Sequence, residues 1–207
     1  MDISIFRDKI EIFGGDSYYF TYTIKMSSTA TSTIVEHAIF RQNVKKYASA
    51  MKHVIMTSRF NDETISENKT FRARNPKIGC IYCAPQMISK KVPVDSVMFI
   101  LEMNNDKNRI EGIGMVRNHP HANKYNVYDN GNYNRYSYIG KYRIDRDSMT
   151  EHENEIMTVF DILCFTGNKH MKRGQGLKAF PVDFLYKCSR TLDLVVFITN
   201  MFKTRIN

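Results

Sequence analysis

Apolar and polar residues alternate with a period of two at the start of the chain, which predicts a β-hairpin over residues 1–26. Ile3, Ile5, Ile10 and Ile12 lead to a Gly14-Gly15 turn, and Tyr18, Phe20, Tyr22 and Ile24 return from it. A Ser/Thr-rich loop over 27–32 follows. The period then lengthens. Thr33 and Glu36 stand in the S/T-x-x-E spacing of a capping box. Beyond them Ile34, Val35, Ala38, Ile39, Tyr47, Ala50, Met51 and Val54 recur every three or four residues. This predicts a helix over 33–55 with one apolar stripe, opposed by Arg41, Lys45, Lys46 and Lys52. Residues 58–76 are polar and carry Asn61-Asp62, Asn68-Lys69 and Asn75-Pro76, so they read as a long loop.

A β-rich core is expected over 78–146. Short runs at 78–83, 96–103 and 109–116 are separated by Ala84-Pro85, Pro93 and Asn104-Asn105-Asp106, and the last two runs should pair as a hairpin. After an Asn/Tyr-rich segment over 119–134, alternation resumes from Tyr136 to Ile144 as one more strand. Ser148 and Glu151 form a second capping-box pattern before Ile156, Val159, Phe160 and Leu163, and Gly167 is a natural helix stop. Leu185, Cys188 and Leu192 predict a further helix after Pro181, while 194–198 suits either that helix or a terminal strand. The pattern describes a single α+β domain over 1–207. It is a small twisted β-barrel or sheet with flanking helices, and 148–207 is its helical and basic part.

With 207 residues, 43% hydrophobic and 25% charged, the chain can build an ordinary core. Asp2, Arg7, Asp8 and Lys9 occupy the place where a secretory leader would be apolar, and the longest apolar run, Leu194 to Ile198, falls far short of the roughly 20 residues that span a bilayer. The expectation is an intracellular protein, cytoplasmic or nuclear, with no membrane partner and with Cys80, Cys83, Cys164 and Cys188 reduced.

Charge changes the picture more. Lys and Arg number 30 against 21 Asp and Glu, for a net charge of +9, and residues 168–207 hold eight of those cations against two acids. Such a surplus attracts polyanions, nucleic acid first among them. Its centre is a glycine-interrupted loop with Lys169, His170, Lys172, Arg173, Gly174, Gly176 and Lys178. Glycine lets backbone N–H groups approach an anion, and arginine grips phosphate with two parallel hydrogen bonds. A second run interleaves Arg135, Tyr136, Tyr138, Lys141, Tyr142 and Arg143. In a strand, Tyr136, Tyr138 and Tyr142 would share one face as a stacking platform for unpaired bases, with the cations on the other.

The remaining candidates lack partners. Cys80-x-x-Cys83 has zinc-like spacing, but in a strand those positions face opposite ways, and no second pair accompanies them. His119 and His121 have no matched carboxylate or nucleophile nearby in the sequence. The reading therefore assigns no catalytic residue, no metal and no cofactor.

Val97-Met98-Phe99-Ile100, Ile110-Glu111-Gly112-Ile113-Gly114-Met115-Val116 and Tyr136 to Ile144 together resemble the PUA-like superfamily, which includes the EVE, ASCH and YTH modules. The resemblance covers about residues 78–146 and implies binding of RNA or of a modified base. The chain has no Trp, so a cage of the kind methyladenine readers build from tryptophans would have to come from Tyr or Phe. The richness in Asn, Lys, Ile and Tyr is similar to that of proteins from AT-rich large DNA viruses. Gly174-x-Gly176 also resembles the pyrophosphate loop of GNAT acyltransferases, although Met171 stands where that loop carries Gln or Arg and Pro181 interrupts the helix that should follow. The expected function is a non-catalytic nucleic-acid-binding module for RNA or single strands. The alternatives are a structural or assembly protein of a virion, using a basic face against acidic partners, and a GNAT-like acyltransferase.

Overall fold

The computed structural model describes residues 30–206, so the expected hairpin over 1–26 lies outside the described residues. The chain divides into two compact units, residues 1–39 and 40–207; of the first, residues 30–39 are described and are helical. They open helix α1, Ala30–Ala50, which places Thr33 inside the helix rather than at its cap.

The helix stops earlier than its apolar pattern, and Val54 opens a strand instead. This is β1, Val54–Phe60. The polar stretch expected to be a loop contains a second helix, α2, Asp62–Arg74. Its ends obey helix electrostatics. The Asn61 side chain accepts from the Thr64 N–H, Asp62 and Glu63 occupy the positive first turn, and Arg72 and Arg74 occupy the last.

Next come β2, Cys80–Ala84, β3, Val97–Asn104, and β4, Arg109–Arg117. Strands β3 and β4 form the expected hairpin, and the Asn104 Oδ1 caps its turn by accepting from the N–H groups of Asp106 and Lys107. The strand expected over 136–144 breaks at Lys141 into β5, Tyr136–Gly140, and β6, Tyr142–Asp145, which join different sheets. Helix α3, Glu151–Phe165, is capped by Thr150 and Glu153, two residues beyond the expected pair. A two-residue strand β7, Lys178–Ala179, leads to α4, Val182–Ser189, and α5, Leu194–Ile206, which settles 194–198 as helix.

The architecture is mixed α+β. A five-stranded sheet runs β6-β4-β3-β1-β7, with β1 parallel to β3 and the other pairs antiparallel; β2 and β5 form a separate two-stranded ribbon. The strands do not close into a barrel among the described residues, which corrects the barrel form of the expectation. The reason is the break at Lys141, which sends β5 to β2 and β6 to β4.

Both faces of the large sheet are covered. Ile55, Phe99, Leu101 and Met103 pack against Phe160 of α3, Leu185 of α4 and Phe202 of α5, with the Phe99 and Phe202 rings stacked at 5.2 Å. On the other face Met56, Met98, Ile100 and Val116 meet the ribbon through Tyr82 and Tyr138, and α2 through Ile65. That second face also buries an ion pair. Glu102 accepts from Tyr82 Oη at 2.7 Å and from Arg143 Nε and Nη2 at 2.9 and 2.6 Å. No described helix is long and apolar enough to cross a membrane.

Candidate nucleic-acid interface

The end of β1 and the start of α2 leave a cleft of about 480 Å³, a volume typical of small-ligand sites. Its aromatic wall is Phe60, Tyr128 and Tyr133. The Tyr128 ring sits 6.4 Å from Phe60 and 6.5 Å from Tyr133, the latter edge to face. Phe60 and Tyr128 are buried, so Tyr133, half-buried, offers the accessible ring. Asn134 fixes this segment, because its Oδ1 accepts from the N–H groups of Val127 and Tyr128 while its Nδ2 donates to the Tyr128 carbonyl. The Tyr128 hydroxyl in turn accepts from Asn68 Nδ2 of α2, and burial holds it un-ionised, well above the usual phenol range.

The opposite wall is the glycine loop. Gly174 and Gly176 adopt positive φ values of 102° and 66°, which an L side chain resists, so glycine is required there by the backbone itself. Arg59 of β1 anchors the loop from below, donating from Nε to the Met171 carbonyl at 2.5 Å and from Nη1 to the Gly176 carbonyl at 3.4 Å. Burial lowers the Arg59 pKa below its ordinary value. Asn105 completes the floor. Its Nδ2 donates to the Lys172 carbonyl, whereas its Oδ1 is buried beside the cleft with no partner among the described residues. A buried acceptor left open costs stability.

The lining carries three carboxylates, Glu63, Glu67 and Asp129, against one cation, Arg59; Glu67 Oε1 accepts from the Asp129 N–H, while the exposed Arg173 and the half-buried Lys172 adjoin Gly174 outside the lining. The carboxylate side suits groups that donate hydrogen bonds.

The structure gathers only part of the residues singled out in the sequence. Gly174 and Gly176 line the cleft, but Lys169 is exposed away from its lining, His170 turns its Nδ1 to the Lys172 N–H, and Lys178 lies in β7 beside Thr57. The tyrosine platform is not formed. Tyr138 is fully buried, and its hydroxyl accepts from the Ile88 N–H at 3.1 Å. Tyr136, half-buried, shares the small ribbon with it, whereas Tyr142 belongs to the large sheet and packs toward the helical core. Lys141 is exposed, 5.4 Å from the Tyr142 ring centroid, and Arg135 is exposed and donates to Asn132. Arg143 is the clearest correction. Burial disfavours its charge, yet Glu102 more than offsets this and holds the guanidinium protonated, in an ion pair that no phosphate can reach.

Cys80 and Cys83 lie in β2. Cys80 Sγ donates to the Tyr142 carbonyl at 3.4 Å, Cys83 Sγ is 3.2 Å from Ser137 Oγ, and burial pushes the two thiols up to about 12 and about 11. The glycine loop feeds β7, and the next helix begins only at Val182, so the loop does not abut a helix start as the acyltransferase resemblance requires. No family model, curated protein or solved structure matches this chain.

Proposed function

We propose that the protein is a non-catalytic nucleic-acid-binding module that receives an unpaired base in the cleft between β1 and α2. The observation that carries this reading is the meeting of Tyr133 with the Gly174–Gly176 loop across one cleft of about 480 Å³. An aromatic face is a sequence-tolerant partner for a base, and a cation-flanked glycine loop is a partner for its phosphate. Surplus positive charge supplies the long-range attraction.

The ribbon β2-β5, joined through Lys141 to β6 and β4, resembles part of a PUA-like module opened out. That resemblance favours RNA over DNA. The test is a filter-binding titration of the full chain with random-sequence single-stranded RNA and DNA at two salt concentrations. The reading expects saturable binding that weakens with salt and prefers RNA. Undetectable binding, or binding indifferent to salt, overturns it.

A further inference from the structure

The far end of α2 carries a second concave surface, a shallow depression of about 410 Å³ bordered by Lys69, Arg72, Gly79 and Asp145. Its lining cations both come from α2, with two further lysines at its border. Lys69 and Arg72 stand one turn apart on the helix, and the exposed Lys77 follows it. Lys77 and Lys141 border the depression through their backbones without lining it. Lys77 lies between the lining residues Pro76 and Ile78. Cys80 pairing with Gly140 sets Gly79 against the Lys141 backbone, while the Lys141 ammonium lies 5.4 Å from the Tyr142 ring centroid. Arg72 is held in place by a hydrogen bond from its Nε to Asn68 Oδ1 at 3.1 Å, which leaves the rest of its fork for an external acceptor. The one carboxylate on the rim, Asp145, is engaged by Arg143. Among the described residues none of Lys69, Arg72, Lys77 and Lys141 forms an ion pair.

We propose that this depression is a second phosphate-contacting surface, so that a single-stranded nucleic acid with a base in the β1–α2 cleft passes over α2 to reach it. This rests on the reading above for its partner. The geometry is favourable because α2 borders both places: Glu63 lines the cleft and Arg72 the depression. Nine residues are two and a half turns, so the two lie on opposite flanks of α2, about 14 Å apart along its axis at ~1.5 Å per residue, and a strand of a few nucleotides would cross over the helix to join them. An arginine fork beside a lysine, with the one rim carboxylate paired to Arg143, suits phosphodiester oxygens.

The experiment is fluorescence anisotropy of the full chain with a labelled random-sequence single-stranded RNA between about 50 and 200 mM salt. It compares the wild type with the triple variant Lys69→Glu, Lys77→Glu, Lys141→Glu. Lys45→Glu, Lys46→Glu, Lys187→Glu is the charge-matched control, exposed and outside the lining of both depressions. The test variant should bind on the order of tenfold or more weakly, with the slope of log affinity against log salt reduced by about 2, at ~0.7 per lost contact. The control should fall much less. A Lys→Gln set at the same three positions, with urea midpoints for every variant, separates lost contacts from lost folding. An unchanged slope in the test variant, or an equal loss in the control, overturns this surface while leaving the cleft reading intact if Tyr133→Ala still weakens binding. Absence of binding by the wild type overturns both.

Discussion

Arg59 and Met171 are joined by a 2.5 Å hydrogen bond from guanidinium Nε to backbone carbonyl, which ties the glycine loop to the floor of the large sheet. No carboxylate shares Arg59 among the described residues, so its hold on the loop is made through carbonyls alone. Arg59→Ala should therefore leave those carbonyls short of a donor and cost about 1–3 kcal/mol. Single-strand affinity should fall as the loop loses its fixed shape. Urea denaturation and anisotropy on the same protein check both effects. Arg59→Lys should restore little, because an ammonium lacks the fork that reaches two carbonyls.

Two tyrosines separate binding from folding. Tyr133→Ala removes the accessible ring of the cleft and should weaken single-strand binding by roughly 1–3 kcal/mol, about tenfold to a hundredfold, with little change in stability. Tyr138→Phe should do the reverse. It deprives the buried Ile88 N–H of its acceptor, at a cost of about 1–3 kcal/mol in stability, while affinity stays at the wild-type value. Titration and thermal melts of the two variants side by side give the comparison.

Arg143 was among the candidate nucleic-acid-binding residues and proves to be internal. Arg143→Ala strands the buried Glu102 carboxylate and should destabilise the fold by about 3–5 kcal/mol. Gly114→Ala should harm the same network, because a Cβ there would overlap the Tyr82 hydroxyl that donates to Glu102. Denaturant midpoints measure both. Neither protein should show a changed salt slope under conditions where it remains folded.

Stability should fall on the acid side in two steps. Burial, reinforced by Lys203 and Lys52, lowers the His53 pKa below 6.5. The unfolded chain therefore takes up a proton first, and stability is complete above about pH 6.5 and declines as pH falls toward the folded value. Glu153 contributes the second step. The hydrogen bond from Arg205 holds its pKa below 4.5, so its contribution is present above that value and is lost as pH drops through the folded pKa. Urea midpoints across about pH 3 to 8 should show both declines. His53→Gln should flatten the first alone.

The strands over 78–116 and the helix after Thr150 were legible because apolar alternation and capping chemistry mark them directly. The β1–α2 unit that frames the cleft was not. Val54 continues the helical spacing from Met51, so β1 is concealed in the tail of α1's pattern, and two of its buried residues, Thr57 and Ser58, are polar. In α2 the inward position is Asn68 where an apolar residue would normally announce a helix; it is tolerated because it donates to the Ile81 carbonyl and the Tyr128 hydroxyl. The missed signal lay at the ends, in Asn61-x-x-Thr64 with acids in the first turn and arginines in the last. As for the candidate residues, charge and glycine located the loop, but nothing local in the sequence distinguishes Arg173, which is exposed, from Arg143, whose partner Glu102 lies 41 positions away.

Strand β3 is screened from solvent along nearly its whole length, with packed interiors on both sides. It therefore acts as a partition. A bulky replacement at Met98 or Ile100 would press toward the ribbon and the cleft, whereas one at Phe99 or Leu101 would press toward the helices. The glycine loop straddles that partition, because Met171 at its start packs among the helices while Leu177 at its end packs on the ribbon side, so a change of volume on either side is transmitted to it.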